Sequence, residues 1–129
     1  MADNEDVVKK AYANFGAGDM DGLKEMLTDD FVHHLPGKSQ LAGDHKGADA
    51  ALAVYGKLFE ISNGSMRVEL KSLESSGDKV IATHQCTAEA GGKKLDQEQV
   101  LTFTVRDGKL AHIDEEFADQ DAYDDFWGR

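Results

Sequence analysis

The chain has a single cysteine and a single proline in 129 residues. One thiol cannot form an intrachain disulfide, and a thiolate metal site cannot be assembled from one copy. Cys86, set among small apolar residues in THQCTAEA, reads as a buried, inert thiol. Basic residues are scarce: 14 Lys and Arg stand against 25 Asp and Glu, a formal net charge of -11. No window gathers enough of them to neutralise a phosphate backbone, so neither nucleic acid nor an anionic membrane surface is an expected partner. No apolar run approaches a membrane span, and the opening MADNEDVVKK is acidic and lacks the apolar stretch of a secretory signal. A soluble cytoplasmic protein is expected. No internal repeat, linker or low-complexity segment is evident, and the length suits a single domain over 1–129 that closes one core. The densest acidic run, DEEFADQDAYDD, reads as solvated surface.

Hydrophobic periodicity divides the chain into a helical first half and a strand-rich second half. Val7, Val8, Ala11, Tyr12 and Phe15 recur at three- and four-residue spacing, as on one face of a helix. The pattern breaks in GAGD, where Asp19 can cap a second, short helix, MDGLKEML. FVHHL has strand composition and should end at Pro36-Gly37. The segment KSQLAGDHKG reads as a loop, and ADAALAVYGKLFEI as a third helix with Ala51, Leu52, Tyr55, Leu58 and Phe59 on its apolar stripe. From Met66 on, strand-like runs alternate with the turn signals SSGD, GG and RDG, which predicts an antiparallel meander. Helices first and strands later point to an α+β domain in which a sheet curls around the helices.

Alternation along the strands assigns faces. Ala111, Ile113, Glu115 and Phe117 form the better core face of the last strand, leaving Leu110, His112, Asp114 and Glu116 outside. Leu101, Phe103 and Val105 point inward on the preceding strand, and His84 shares the parity of Val80, Ala82, Cys86 and Ala88. In FVHHL the larger apolar payload puts Phe31, His33 and Leu35 inside, so His34 turns away. Three ionisable groups, His33, His84 and Glu115, therefore project toward one interior. A carboxylate beside an imidazole in an apolar setting is the arrangement that general acid/base catalysis uses.

Other chemistries lack their residues. No HxH or HExxH spacing occurs, and DQDAYDD lacks the glycine and closing glutamate of a calcium loop, so no metal is expected. There is no GxSxG, and GAGDMDG follows a helix rather than a strand, which argues against a phosphate cradle. No cofactor is required. Tyr12, Phe15, Tyr55, Phe59, Phe103, Phe117 and Trp127 read first as core. Near a cavity mouth they would suit a flat apolar ligand, and with Leu101 and Ile113 on inner faces they make up the expected pocket lining.

The succession AGDMDGLKEML, DDFVHHLPGKSQLAGDHKGADA and RDGKLAHIDEEFADQDAYDDFWG resembles the SnoaL-like branch of the nuclear transport factor two superfamily across essentially the whole chain. The resemblance implies a cone: a strongly curved, mixed, mainly antiparallel sheet wrapped around three N-terminal helices, with an apolar cavity that takes a small hydrophobic molecule, often in a homodimer. It also implies polyketide cyclases, ketosteroid isomerases and related enzymes as relatives, and fold alone does not choose among them. The isomerase's oxyanion-hole tyrosine, general-base aspartate and second oxyanion donor fall near Ala11, Leu35 and Leu101, all apolar here. The acid/base aspartate of the polyketide cyclases aligns with Glu115, while a histidine of theirs aligns with Leu101. Where many relatives carry Trp-His before Pro-Gly, this chain carries His33-His34. The function expected from residues and resemblance together is proton transfer next to a carbonyl, with a non-catalytic ligand-binding or dimerisation module as the alternative.

Overall fold

The computed structural model describes residues 4–128. In chain order its elements are α1 (Asn4–Gly16), α2 (Met20–Glu25), β1 (Leu27–Leu35), β2 (Gly43–Lys46), α3 (Ala48–Ile61), β3 (Arg67–Ser76), β4 (Lys79–Ala90), β5 (Lys93–Arg106), β6 (Lys109–Phe117) and α4 (Gln120–Trp127). The strands form one six-stranded sheet in the order β2-β1-β6-β5-β4-β3. Strands β3 to β6 are the expected antiparallel meander, and β1 adds parallel to β6. The fold is α+β, with a mixed and mainly antiparallel sheet packed on its helices.

Local signals explain most of the boundaries. Val7, Val8 and Ala11 bury one side of α1, which closes where Gly18 takes a φ of 72°, a conformation open to glycine and strained for other residues. The Asp19 carboxylate then accepts from the Gly22 N–H at 2.9 Å and caps α2. Along β4 and β5 burial alternates with period two, so Val80, Ala82, His84, Cys86 and Ala88 share the inner face with Leu95, Gln97, Gln99, Leu101, Phe103 and Val105. Phe31, His33 and Leu35 face the core from β1.

Three departures from the sequence reading have physical causes. KSQLAGDHKG contains a strand, β2, whose His45 pairs with His33 on the open edge of β1. Its composition is poor for β structure, so the pairing is supplied by the neighbouring strand's unfilled hydrogen-bonding groups. Leu110 is buried rather than outward: Val105 pairs with Leu110 and Thr104 with His112, so Ala111 is an extra residue that reverses parity. That bulge lies before Glu115, whose inward orientation survives it.

The third departure is a fourth helix. The run DEEFADQDAYDD is not simply a solvated surface, for its second half forms α4, with Tyr123, Phe126 and Trp127 buried on one side. Asp119 starts the helix by accepting from the Ala122 N–H at 3.0 Å, and the Gln97 amide clasps the Asp119 backbone at both N–H and C=O. Asp124 is 1% exposed and accepts from the backbone N–H groups of Lys38 and Ser39 at 3.0 and 3.1 Å. The helix thereby fastens the Pro36-Gly37 turn that closes β1.

Candidate active site

Between α1, α3 and the inner face of the sheet lies a cavity of about 80 Å³. Its walls are apolar, with Leu23, Leu27, Leu58, Leu101, Phe103, Leu110 and Ile113 among them. Of its lining residues only Tyr12, Phe15, Val68 and Glu115 are more than marginally exposed, so the first three mark its rim. Each of the expected ionisable residues, His33, His84 and Glu115, lines it.

Two hydrogen-bonded relays run along its polar side. In the first, His33 Nε2 meets Glu115 Oε1 at 2.6 Å and His33 Nδ1 meets the Tyr55 hydroxyl at 2.5 Å. The pairing follows from topology: the parallel register of β1 on β6 sets His33 opposite Ile113, two residues from Glu115 on the same face. Burial, followed by the charge of Glu115, drives the Tyr55 phenol well above its ordinary range, so that it keeps its proton. With an ionised Glu115 and a neutral ring, the Nε2–H donates to the carboxylate and Nδ1 accepts from the Tyr55 hydroxyl. The side chains of His33 and Glu115 are 6% and 11% exposed, so little water competes for this bond.

The second relay links α1 to the sheet. Tyr12 Oη lies 2.7 Å from His84 Nδ1, and His84 Nε2 lies 2.6 Å from Gln99 Oε1. Desolvation lowers the His84 pKa, against smaller opposing effects of the Gln99 hydrogen bond and the Glu115 charge, so the ring is neutral near pH 7. Tyr12 is pushed up by burial and then by Glu115, and holds its proton. Consistent hydrogen bonding then runs in one direction: the Tyr12 O–H donates to Nδ1, and the Nε2–H donates to the Gln99 carbonyl. Glu115 also contributes, after burial, to raising Cys86 to about 12, so its charge is felt on several walls of the cavity.

The lining expected from sequence is placed unevenly. Tyr12, Phe15, Tyr55, Leu101, Phe103 and Ile113 line the cavity, and Phe59, Phe117 and Trp127 stand behind it. Phe59 packs on Phe15 with ring centroids 5.2 Å apart, and Phe117 stacks on Tyr123 at 3.7 Å, so that Tyr123 makes the wall. Trp127 is 1% exposed and packs edge-on to Phe126 within α4. The Phe117 and Trp127 corrections share one cause, the layer that α4 supplies beneath the last strand, whereas Phe59 is taken up between α3 and α1. His34 turns to the outer face, as expected, and pairs with Asp44 of β2 at 2.5 Å. Gln99 and Tyr123 were missed. Carrying the parity of Leu101 and Phe103 back by one step would have found Gln99, and the three- and four-residue spacing of Tyr123, Phe126 and Trp127 would have found Tyr123.

Among the described residues, no group of three or more His, Cys, Asp or Glu side chains is placed to hold a metal ion. No helix among them is long and apolar enough to cross a membrane.

Comparison with known proteins agrees with this architecture. A SnoaL-like domain matches residues 8–113. An uncharacterized protein of Mycobacterium tuberculosis is 34% identical over 123 residues, covering 95% of this chain and 94% of that one. The solved structure of Bal32a, from a soil-derived mobile gene cassette, superposes with a TM-score of 0.94 at 37% identity over 97% of this chain and 96% of its own. A protein of unknown function with a cystatin-like fold from Xanthomonas campestris gives a TM-score of 0.94 at 31% identity, over 99% and 100% of the two chains. With the family matched over most of its length and full-length relatives above 30% identity, the chain belongs to the SnoaL-like domain family.

Proposed function

We propose that the cavity performs cofactor-independent acid/base chemistry on a hydrophobic carbonyl compound, with Glu115 moving a proton to and from the carbon next to the carbonyl. The observation that carries this reading is the Glu115–His33 bond at 2.6 Å inside an apolar cavity. His33 occupies one carboxylate oxygen and, itself held by Tyr55, fixes the carboxylate plane, which leaves the other oxygen for the substrate. The chemistry suits an isomerisation, a dehydration or an aldol-type cyclisation. TerC, a protein whose structure was solved with polyporic acid, has the same fold with a TM-score of 0.84 at 22% identity, a likeness of fold alone.

Size restricts the substrate. A cavity of roughly 150 Å³ takes up benzene, and the one here is about 80 Å³. It admits the reacting carbonyl end of a molecule, whose remainder passes the rim at Tyr12, Phe15 and Val68. A second reading, a ligand-binding module without turnover, draws on the apolar residues at Ala11, Leu35 and Leu101, where the isomerases of this fold hold their catalytic groups.

The test is exchange of the α-hydrogens of cyclopentanone into heavy water, followed by proton NMR with and without protein. Wild-type protein accelerates exchange, and Glu115→Gln lowers that rate by about 10²-fold or more with the fold intact. Equal rates for the two proteins overturn the assignment of Glu115. No acceleration by the wild type, with binding retained, selects the second reading.

A further inference from the structure

Two relays commit most of the polar hydrogens on the cavity wall. The Tyr55 and Tyr12 hydroxyls donate to His33 and His84, and the two imidazoles donate onward to Glu115 and Gln99. Outside the relays stand two groups of the wall, the Tyr123 hydroxyl on α4 and the Gln99 amide nitrogen, and the second is the one fixed on the strand beside Glu115. Gln99 is 2% exposed and lines the cavity, and Nε2 has no oxygen or nitrogen partner, its amide only favouring the thiolate of neighbouring Cys86, a weak acceptor that burial keeps as the neutral thiol. The Gln99 carbonyl oxygen faces His84 Nε2 at 2.6 Å, so the NH₂ is the end left over. A buried donor without a partner costs free energy that a native protein ordinarily avoids, and in a cavity it marks the place where a ligand's acceptor belongs.

Position defines what that acceptor is attached to. Leu101 is paired with Glu115, and Gln99 with Phe117, so Gln99 and Glu115 are diagonal neighbours on the same face of adjacent strands. One is a donor and the other an acceptor, within reach of neighbouring atoms of one small molecule. We infer that the Gln99 amide N–H binds the carbonyl oxygen of the substrate while Glu115 faces the adjoining C–H, which selects neutral, enolisable ketones or aldehydes over carboxylates. The inference rests on the proposed function for its account of Glu115, and it adds the group that holds the oxygen. Carboxylic acids are disfavoured because their charge would lie beside Glu115 in an apolar enclosure where no Lys or Arg lines the wall. As charge builds on the carbonyl oxygen, the amide bond strengthens, and the His84 Nε2–H on the amide's far side polarises it further.

The experiment is a titration of full-length, ¹⁵N-labelled protein with cyclopentanone, with methylenecyclopentane as the isostere lacking the oxygen, and with cyclopentanecarboxylate. The Gln99 side-chain amide signals are identified by their loss in Gln99→Glu, which keeps an acceptor for His84 and removes the donor. Gln99→Met is the uncharged second variant. Expected results are a downfield shift of a Gln99 amide proton with cyclopentanone alone, and affinity for the ketone about tenfold weaker in both variants, with the alkene's affinity changed far less. An unmoved Gln99 signal, equal affinity for ketone and alkene in the wild type, or ketone affinity retained in both variants overturns the inference. Heavy-water exchange on the same samples separates the two readings. Ketone preference without exchange leaves the oxygen site standing and removes the acid/base function; exchange that depends on Glu115 but is indifferent to Gln99 does the reverse.

Discussion

Replacing Asp124 by alanine is expected to destabilise the fold far more than removal of an acid from an acidic surface. Three hydrogen bonds converge on this carboxylate: from Lys38 N at 3.0 Å, Ser39 N at 3.1 Å and Gln120 Nε2 at 3.2 Å. Ser39 is buried, so its N–H would be stranded at a cost of ~1–3 kcal/mol, whereas water can reach the Lys38 N–H and limit the second loss. Together the two give about 2–4 kcal/mol. For a chain of 129 residues that is a fall in Tm of about 6–12 °C. Asp124→Asn keeps an acceptor oxygen and is expected to lose roughly half as much. Urea titrations at pH 7 on both variants, with exposed Glu116→Ala as control, measure the differences at unchanged m value. A loss below ~0.5 kcal/mol for Asp124→Ala, indistinguishable from the control, refutes the claim that this carboxylate holds the Pro36-Gly37 turn to α4.

Other expectations concern the cavity. His84 should titrate below the ordinary histidine value, with its proton on Nε2 in long-range ¹H–¹⁵N spectra; a midpoint at or above 6.5 contradicts its burial as a neutral ring. Because the folded pKa is depressed, the unfolded chain takes up this proton first as pH falls below about 6.5. The contribution of His84 to stability is therefore present above that pH and is lost as pH drops toward the folded value, and a His84→Gln variant should show a shallower decline there. Cys86, pushed up to about 12 by burial and then by Glu115, should resist a disulfide reagent at pH 8 in native protein and react at once in denaturant. Rapid reaction of the native thiol would show that β4 opens far more readily than its buried inner face implies.

Much of the site was legible in residue order because alternation is a strict rule wherever a strand stays regular. Val80 to Ala88 and Leu101 to Val105 obey it without interruption, so the inward facing of His84 followed from parity alone. Leu110 was misplaced because a bulge is a backbone event whose signal, the Ala111 side chain, is nearly featureless. Had the extra residue come after Asp114, Glu115 would have faced solvent. In α4 and its cap, the acids Asp119, Asp121, Asp124 and Asp125 outweigh Tyr123, Phe126 and Trp127 in composition, although Asp119 and Asp124 accept from backbone N–H groups. For β2, four residues of Gly-Asp-His-Lys hold no strand preference of their own, and only the presence of β1 reveals them.

The parallel seam between β1 and β6 has a consequence for how the molecule comes into being. His33 and Glu115 lie 82 residues apart in the chain, and nothing but that seam brings them together. Meander hairpins can form early from near neighbours, but joining the first strand to the last requires an entropically expensive closure of most of the polypeptide. Until that closure the histidine and the glutamate are strangers, each on a separate half. Chemistry at this pair is thus a certificate of completed topology: a half-folded chain whose first and last strands have not met can retain helices and hairpins, yet it holds no His33–Glu115 bond.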